Sequence, residues 1–422
     1  MKNQKALFLL LTANVVSGFA QGISILAIPW YFVSMLGRPS LFGVIYFSVT
    51  AFSLFWSLYA GTLVDRYSRK KIFSGICLAG GIILGSVAVA GYVMGQLPMP
   101  FIILIFAVTI LIFNIHYPAL YAFAQEITEK QNYGKINSYI EIQGQSTTMI
   151  AGALGALLLQ GTDHETFNLL GINVRLPFTI HRWEMHEIFL MDAITYFIAI
   201  ALITMIRYVP QVDKNIDLDP LFSRLKTGFR YLLNNRLLLI FGNASLSIFV
   251  VLLVEVHLLL PMYVNNHLQA RADVYASSEV YYSIGALLAG AGIRRLFRNT
   301  NTVLSIIFLM FTTVAILWIC AFTRSVGIFY VFSFIIGITN AGTRVLRTTY
   351  LFNHIPNEVM GRTNGVFVMV NILLRLLFIG IFSIPFFVIG SNVTWAYFIF
   401  GCFVLLSSVL LCVKYDALVR KQ

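Results

Sequence analysis

Charge is what this sequence has least of. Of its 422 residues only 11% are Asp, Glu, Lys or Arg, less than half the share of a soluble globular protein, while 59% are apolar. That combination excludes an ordinary soluble domain and equally excludes a disordered chain, which needs polarity this one lacks. Cysteine is scarce too. The four present, Cys77, Cys320, Cys402 and Cys412, lie in apolar stretches without CxxC spacing, so there is neither a disulfide framework nor a thiolate metal site to read. A P-loop, a nucleophile elbow and an HExxH helix are all missing, which removes support for ATP-driven transport, for enzyme chemistry and for a bound cofactor. Acids are scarcer than bases: 17 Asp+Glu against 29 Lys+Arg, a net charge of +12. In a soluble protein that excess suggests nucleic acid, and in a membrane protein it suggests basic cytoplasmic loops. Where the 29 bases sit decides between them.

What the sequence has in abundance is long apolar runs. A helix crossing a bilayer needs about 20 predominantly apolar residues, and twelve such stretches are present: 6–36, 41–63, 72–96, 99–125, 137–160, 187–208, 237–263, 279–297, 302–322, 326–350, 364–390 and 393–413. The first begins like a signal peptide, with Lys2 and Lys5 before it, but runs on to Leu36 and is too long for one. With twelve spans both termini share a side. The loops and span ends on that side hold 22 of the 29 bases, the opposite loops hold five, and Arg344 and Arg375 are assigned to span interiors. This asymmetry predicts an integral multi-pass protein of the inner (plasma) membrane with both termini cytoplasmic. The basic excess therefore reports topology, and no nucleic-acid partner is expected.

The spans divide into six over 1–208, a cytoplasmic linker over 209–236 and six over 237–422. In the linker, apolar residues at 221, 222, 225, 229 and 232 share one helical face with basic residues opposite, the pattern of an amphipathic helix on the membrane surface. The two halves repeat each other. Gly134-Lys135-Ile136-Asn137 opens the fifth span and Gly361-Arg362-Thr363-Asn364 the eleventh, 227 residues on. Gly61…Asp65-Arg66 and Gly290…Arg294-Arg295 follow the second and eighth spans, 229 apart. Internal duplication in a 6+6 arrangement is a transporter signature. The fold class expected is an all-α polytopic membrane protein with two pseudo-symmetric six-helix halves.

The loop after span two reads Gly61-Thr62-Leu63-Val64-Asp65-Arg66-Tyr67-Ser68-Arg69-Lys70-Lys71. It resembles the G-x-L-x-D-R-x-G-R-K signature of the major facilitator superfamily, with Ser68 in place of the second glycine. The segment Leu225 to Arg236, Pro356…Gly361-Arg362 and Asp192-Ala193 look like its macrolide-efflux and enterobactin-exporter branch. The resemblance implies gating roles for Gly61, Asp65, Arg66, Arg69, Gly361 and Arg362. Gly61 permits close helix approach. Asp65 can accept hydrogen bonds from a helix N-terminus, the candidate being that of span eleven near Thr363–Gly365; by resemblance that contact closes the cytoplasmic side and breaks on inward opening. Plain topology determination is the alternative reading of the same charges. The chain departs from drug/proton antiporters in two places: span four has no arginine, His116 being its only ionisable group, and the span-five glycine stretch Gly152-Ala153-Leu154-Gly155-Ala156 has no proline.

Ionisable groups inside spans are costly and point to function by default. Glu255 in span seven, Asp192 in span six and Glu141 in span five are the candidate proton-coupling carboxyls, with His257 and His116 able to share the proton. A structural role fits each as well: Glu141 pairing with a loop lysine, Asp192 hydrogen-bonding neighbouring helices. Arg375, deep in span eleven, is placed either to offset Glu255 or to bind an anionic substrate. Arg344 reads as a snorkelling base near a helix end. Asn14, Ser17, Gln21 and Ser24 share one face of span one; with Gln145 of span five they are candidates for a substrate cavity or for helix packing. The outer loop 161–186, with His181, Glu184 and His186, reads as solvated and partly structured, with no metal assigned.

The function expected from the residues and the resemblance together is secondary transport by alternating access: proton-coupled export of a small amphipathic compound, whether drug, macrolide-like molecule or siderophore. The partners are that substrate, protons and the lipid bilayer, and oligomeric state is left open. The alternatives are uptake or movement of a lipid-like substrate and, from another class, a transport-dead membrane sensor.

Overall fold

The computed structural model describes residues 3–162, 167–174, 179–207 and 221–420. Twelve long helical segments run through them. Span one is Gln4–Trp30 continued by a π-helical turn over Tyr31–Met35. Spans two to six are Pro39–Arg66, Arg69–Met94, Met99–Glu126, Tyr133–Gln160 and Met185–Thr204. Span seven covers Arg236–His267 in several pieces. Spans eight to twelve are Ala272–Leu296, Thr302–Phe322, Val326–His354, Asn357–Phe382 and Val393–Val413. Ten of the described helices are long and apolar enough to cross a membrane. Spans five and eight are long enough but more polar, as helices are when they turn polar groups toward neighbours rather than lipid.

Among the boundaries that differ from the sequence reading, two stand out. Span eight starts at Ala272 instead of 279, which draws Asp273 into the helix and sets Glu279 about two turns inside it. Span eleven stops at Phe382 instead of 390, because Pro385 opens a separate short helix, Pro385–Val388. A small exception to the all-α expectation lies in the outer loop. Phe167–Leu169 pairs antiparallel with Ile172–Val174, through a two-residue turn in which Leu170 (φ 58°) and Gly171 (φ 81°) are both left-handed.

The chain forms two compact units, residues 1–31 with 52–218 and residues 32–51 with 219–422. In the first, span one packs on spans five and six, and span three on spans four and six. In the second, span seven packs on spans eleven and twelve, and span nine on spans ten and twelve. These are the same helix pairs counted from span one and from span seven, as duplication requires. The repeat extends into backbone detail. Pro29 of span one and Pro261 of span seven are 232 residues apart, and so are the π turns that follow them, Tyr31–Met35 and Tyr263–His267.

The tightest crossing joins spans eight and ten. A Cβ on Gly285 would collide with Phe334 O, and one on Gly337 with Tyr282 O, so each helix reaches the other's backbone through a glycine. The linker helix, Leu221–Asn234, is amphipathic as read, and it packs on the start of span eleven. Its Gly228 meets the backbone of Arg362 and Thr363, and Leu225 touches Gly365, so one apolar face docks on the start of span eleven. In unit one Gly155 of span five lies in ordinary contact range of Ile23 and Leu26 of span one.

Candidate functional site

Span seven is built to distort. Pro261 has no N–H to give the carbonyl four residues back and its ring crowds that carbonyl, so the helix widens into a π turn over Glu255–Leu259, in which Leu260 N–H bonds to Glu255 O. π turns inside long helices concentrate at functional sites, and Glu255 opens this one. Its side chain is buried, and Tyr397 of span twelve donates a hydroxyl hydrogen to its Oε1 at 3.1 Å.

A second acid stands beside it. Glu279 of span eight is only 7% exposed and has no hydrogen-bond partner among the described residues. Glu255 and Glu279 line one small cavity with Ser278, Tyr282 and Ser333. It offers about 10 Å³ to the centre of a water-sized sphere, room for roughly one water. Asn340 of span ten donates to Tyr282 Oη at 2.9 Å, holding that phenol between spans eight and ten. Sequence reading missed Glu279 because the apolar run was started at it. The polar run Ser277-Ser278-Glu279 with Ser283 one turn on was the signal available.

His257 follows Glu255 by two residues and faces elsewhere, since i and i+2 do not share a helix face. It stacks on Tyr46, ring centroids 5.4 Å apart. Tyr46 donates to Leu253 O at 2.9 Å and accepts from Arg375 Nη2 at 3.0 Å. Arg375 therefore bonds to a phenol and does not offset Glu255, a correction to one of the two roles expected for it. His257 and Glu255, likewise, do not meet to share a proton.

In unit one the candidate acids have helix partners. Ser24 donates to Asp192 Oδ2 at 2.7 Å while Asp192 Oδ1, fully buried, has no partner. Glu141 accepts from Tyr121 Oη at 2.6 Å. His116 Nε2 lies 2.7 Å from Asn14 Oδ1, and its ring packs on Phe73 at 4.6 Å. Ser17 bonds back to Ala13 O of its own helix. Gln21 Nε2 and Gln145 Oε1 are buried without partners. On the polar face of span one, Asn14 and Ser24 thus have side-chain partners on spans four and six.

Of the gating set, the side chains of Gly61, Asp65 and Arg66 lie outside the described residues, as do linker residues 209–220. Arg69 Nη1 lies 3.4 Å from Tyr67 O. Its neighbour Lys70 donates to Thr204 O at 3.0 Å and Ile206 O at 2.7 Å, satisfying carbonyls at the end of span six as a base near a helix C-terminus does. Gly361 faces open space and Arg362 sits under the linker helix. Arg347 lies in span ten; its Nε donates to Gly242 O at 3.2 Å and it lies over the Phe367 ring. In the outer loop Glu184 and Glu187 form a capping box for span six, and His186 packs edge-on to Tyr92 at 4.5 Å. Among the described residues no three His, Cys, Asp or Glu gather as a metal site.

The profile of the Major Facilitator Superfamily matches residues 10–379, and the chain belongs to that family. Solved structures agree on the fold. The nucleoside transporter NupG is similar with TM-score 0.66 at 12% identity, covering 97% of this chain and 99% of its own. A D-xylose–proton symporter is similar with TM-score 0.70 at 11% identity, covering 97% of each chain. A bacterial homologue of the iron transporter ferroportin, inward-facing, is similar with TM-score 0.65 at 14% identity, covering 98% of this chain and 99% of its own. No curated protein sequence matches the chain significantly. The protein is a multi-pass membrane transporter of small molecules and not an enzyme.

Proposed function

We propose that this transporter is a proton-coupled exporter of a small amphipathic compound, embedded in the inner membrane with both termini cytoplasmic and working by alternating access. The observation that carries the coupling is the pair Glu255 and Glu279 on one small cavity, neither of them ion-paired among the described residues. Charge is most expensive in such surroundings. Gaining or losing a proton there changes the local charge, and so biases the protein toward or away from conformations that admit water. Two adjacent carboxyls titrate as a unit and hold the proton jointly. The π turn at Glu255 lets span seven rearrange around the site. Export as the direction, and membership of the macrolide-efflux and enterobactin-exporter branch, are supported by the signature loop, the linker segment and Asp192-Ala193.

The test is a panel of drugs and siderophores on inverted membrane vesicles with an imposed pH gradient. Accumulation inside the vesicles supports export. Gradient-driven loss from preloaded vesicles means import, and movement that ignores the pH gradient removes the proton coupling. Silence across the panel favours a sensor.

A further inference from the structure

Arg375 stands seven residues before the end of span eleven at Phe382, about 10 Å of helical rise inside it. A guanidinium there is costly unless something answers its charge. Among the described residues no carboxylate does so. Its Nη2 donates to Tyr46 Oη, and its Nε is buried without a partner. Tyr46 gives its own hydrogen to Leu253 O, so the phenol orients the guanidinium and leaves its charge uncompensated. The guanidinium carbon lies 5.8 Å from the Tyr46 ring centre, a contact that recognises a cation without neutralising it.

Two further nitrogens around this arginine lack hydrogen-bond partners. His257 Nδ1, on the ring stacked against Tyr46, is buried and unpartnered. Asn371, one turn before Arg375 on the same helix face, is 6% exposed, and its Nδ2 is unpartnered. Buried polar atoms without partners are rare in native proteins and call for an explanation. Here three occur together on spans seven and eleven, and one of them belongs to a cation. An oxyanion would satisfy all of them. Arg presents a planar fork suited to a carboxylate or phosphate, the Asn371 amide adds a neutral donor, and His257 donates in its Nδ1–H tautomer.

We propose that Arg375, with His257 and Asn371, forms the binding site for an anionic group of the transported compound, a carboxylate or similar oxyanion. The site is separate from the acid cavity: Glu255 faces spans eight, ten and twelve, whereas His257 faces Tyr46. The proposal rests on the transporter reading and narrows it, selecting anionic members of the amphipathic class over cationic ones.

The experiment compares a matched pair of probes, 2-naphthoate and its neutral amide 2-naphthamide, binding to the purified full-length protein in nanodiscs. Wild type is expected to prefer the anion by about tenfold or more. Arg375→Gln brings that ratio to about one, Arg375→Lys keeps part of it because charge survives and the fork does not, and Asn371→Ala weakens the anion alone. The Arg375→Lys and Asn371→Ala variants keep the question open to measurement if Arg375→Gln fails to fold. Equal affinity for the two probes, no binding of the anion, or an anion preference that persists without the arginine overturns the proposal. Vesicle transport separates this from failure of the transporter reading. A protein that binds the anion selectively but moves neither probe nor any panel compound loses the transport role and keeps the site. One that carries the amide as fast as the anion keeps transport and loses the site.

Discussion

Tyr397 Oη donates to Glu255 Oε1 across 3.1 Å, fastening the last span of the second unit to its first. Unit one has a counterpart: Ser24 of span one and Asp192 of span six, 2.7 Å apart. In each unit a hydroxyl on one of these two spans thus meets a buried carboxyl on the other, but the acid sits on span seven in one unit and on span six in the other. Glu255 shares its cavity with a second carboxyl, Glu279, whereas Asp192 meets a serine. The proposed coupling role therefore goes to Glu255, and a fastening role for Asp192 is tested below.

If Glu255 couples protons, Glu255→Gln abolishes the substrate-induced pH change in proteoliposomes while the protein still elutes as a monodisperse peak. Tyr397→Phe, which removes one hydrogen bond and keeps the carboxyl, slows transport without uncoupling it. Glu279→Gln reduces proton movement as well, since the two acids act together. Full coupling in both glutamine variants would sink the assignment.

Long apolar runs made the twelve spans legible, because span length is set by bilayer thickness and needs no tertiary information. Glu255 and Asp192 were legible for the same reason, as charges where few are tolerated. Glu279 was not, because a polar helix buried against other helices looks like a loop to a hydropathy reading. Nor were the partners of these acids, Tyr397 and Ser24: which hydroxyl meets which acid is decided by packing between residues 142 or 168 apart in the chain. The linker helix was recognised by its periodicity, but its docking depends on Gly228 meeting the backbone of Arg362, a close approach that no periodicity encodes.

A fastening role for Asp192 predicts loss of stability more than loss of coupling. Ser24→Ala leaves a buried carboxyl without its hydrogen bond and should cost about 0.5–2 kcal/mol. Asp192→Asn in the same background should cost little more, because the two residues form one interaction. A double-mutant cycle on thermal unfolding in detergent reads this; additive effects would mean they act separately.

Gly285→Ala forces a methyl into Phe334 O at the crossing of spans eight and ten. It is expected to destabilise by about 1–3 kcal/mol, lowering the unfolding temperature and the yield of folded protein. Gly75→Ala, at a span-three glycine with open space around it, is the control. It should be neutral or stabilising by up to about 1 kcal/mol through helix propensity. Equal behaviour of the two would count against a close-packed crossing.

Asp65 carries a prediction from the signature loop. Asp65→Asn keeps the size and removes the charge that favours a helix N-terminus. Turnover should fall several-fold while substrate affinity changes little, measured as transport rate against equilibrium binding. A loss confined to binding would argue against gating.

The linker helix offers a test of how span eleven is held at its start. Its docked face is Leu225, Gly228 and Leu232, and Gly228 leaves no room for a side chain beside Arg362 and Thr363. Gly228→Leu must therefore push the helix away from span eleven. Freed from its contact, the segment opens locally at far lower cost than the spans themselves, and trypsin should cleave at Arg224, Lys226 and Arg230 faster than in wild type. Because Gly361-Arg362 lies beneath the same helix, transport should slow together with the increase in cleavage. Faster cleavage at an unchanged transport rate would leave the linker a tether with no part in gating, and unchanged cleavage would show that the helix is not held through Gly228.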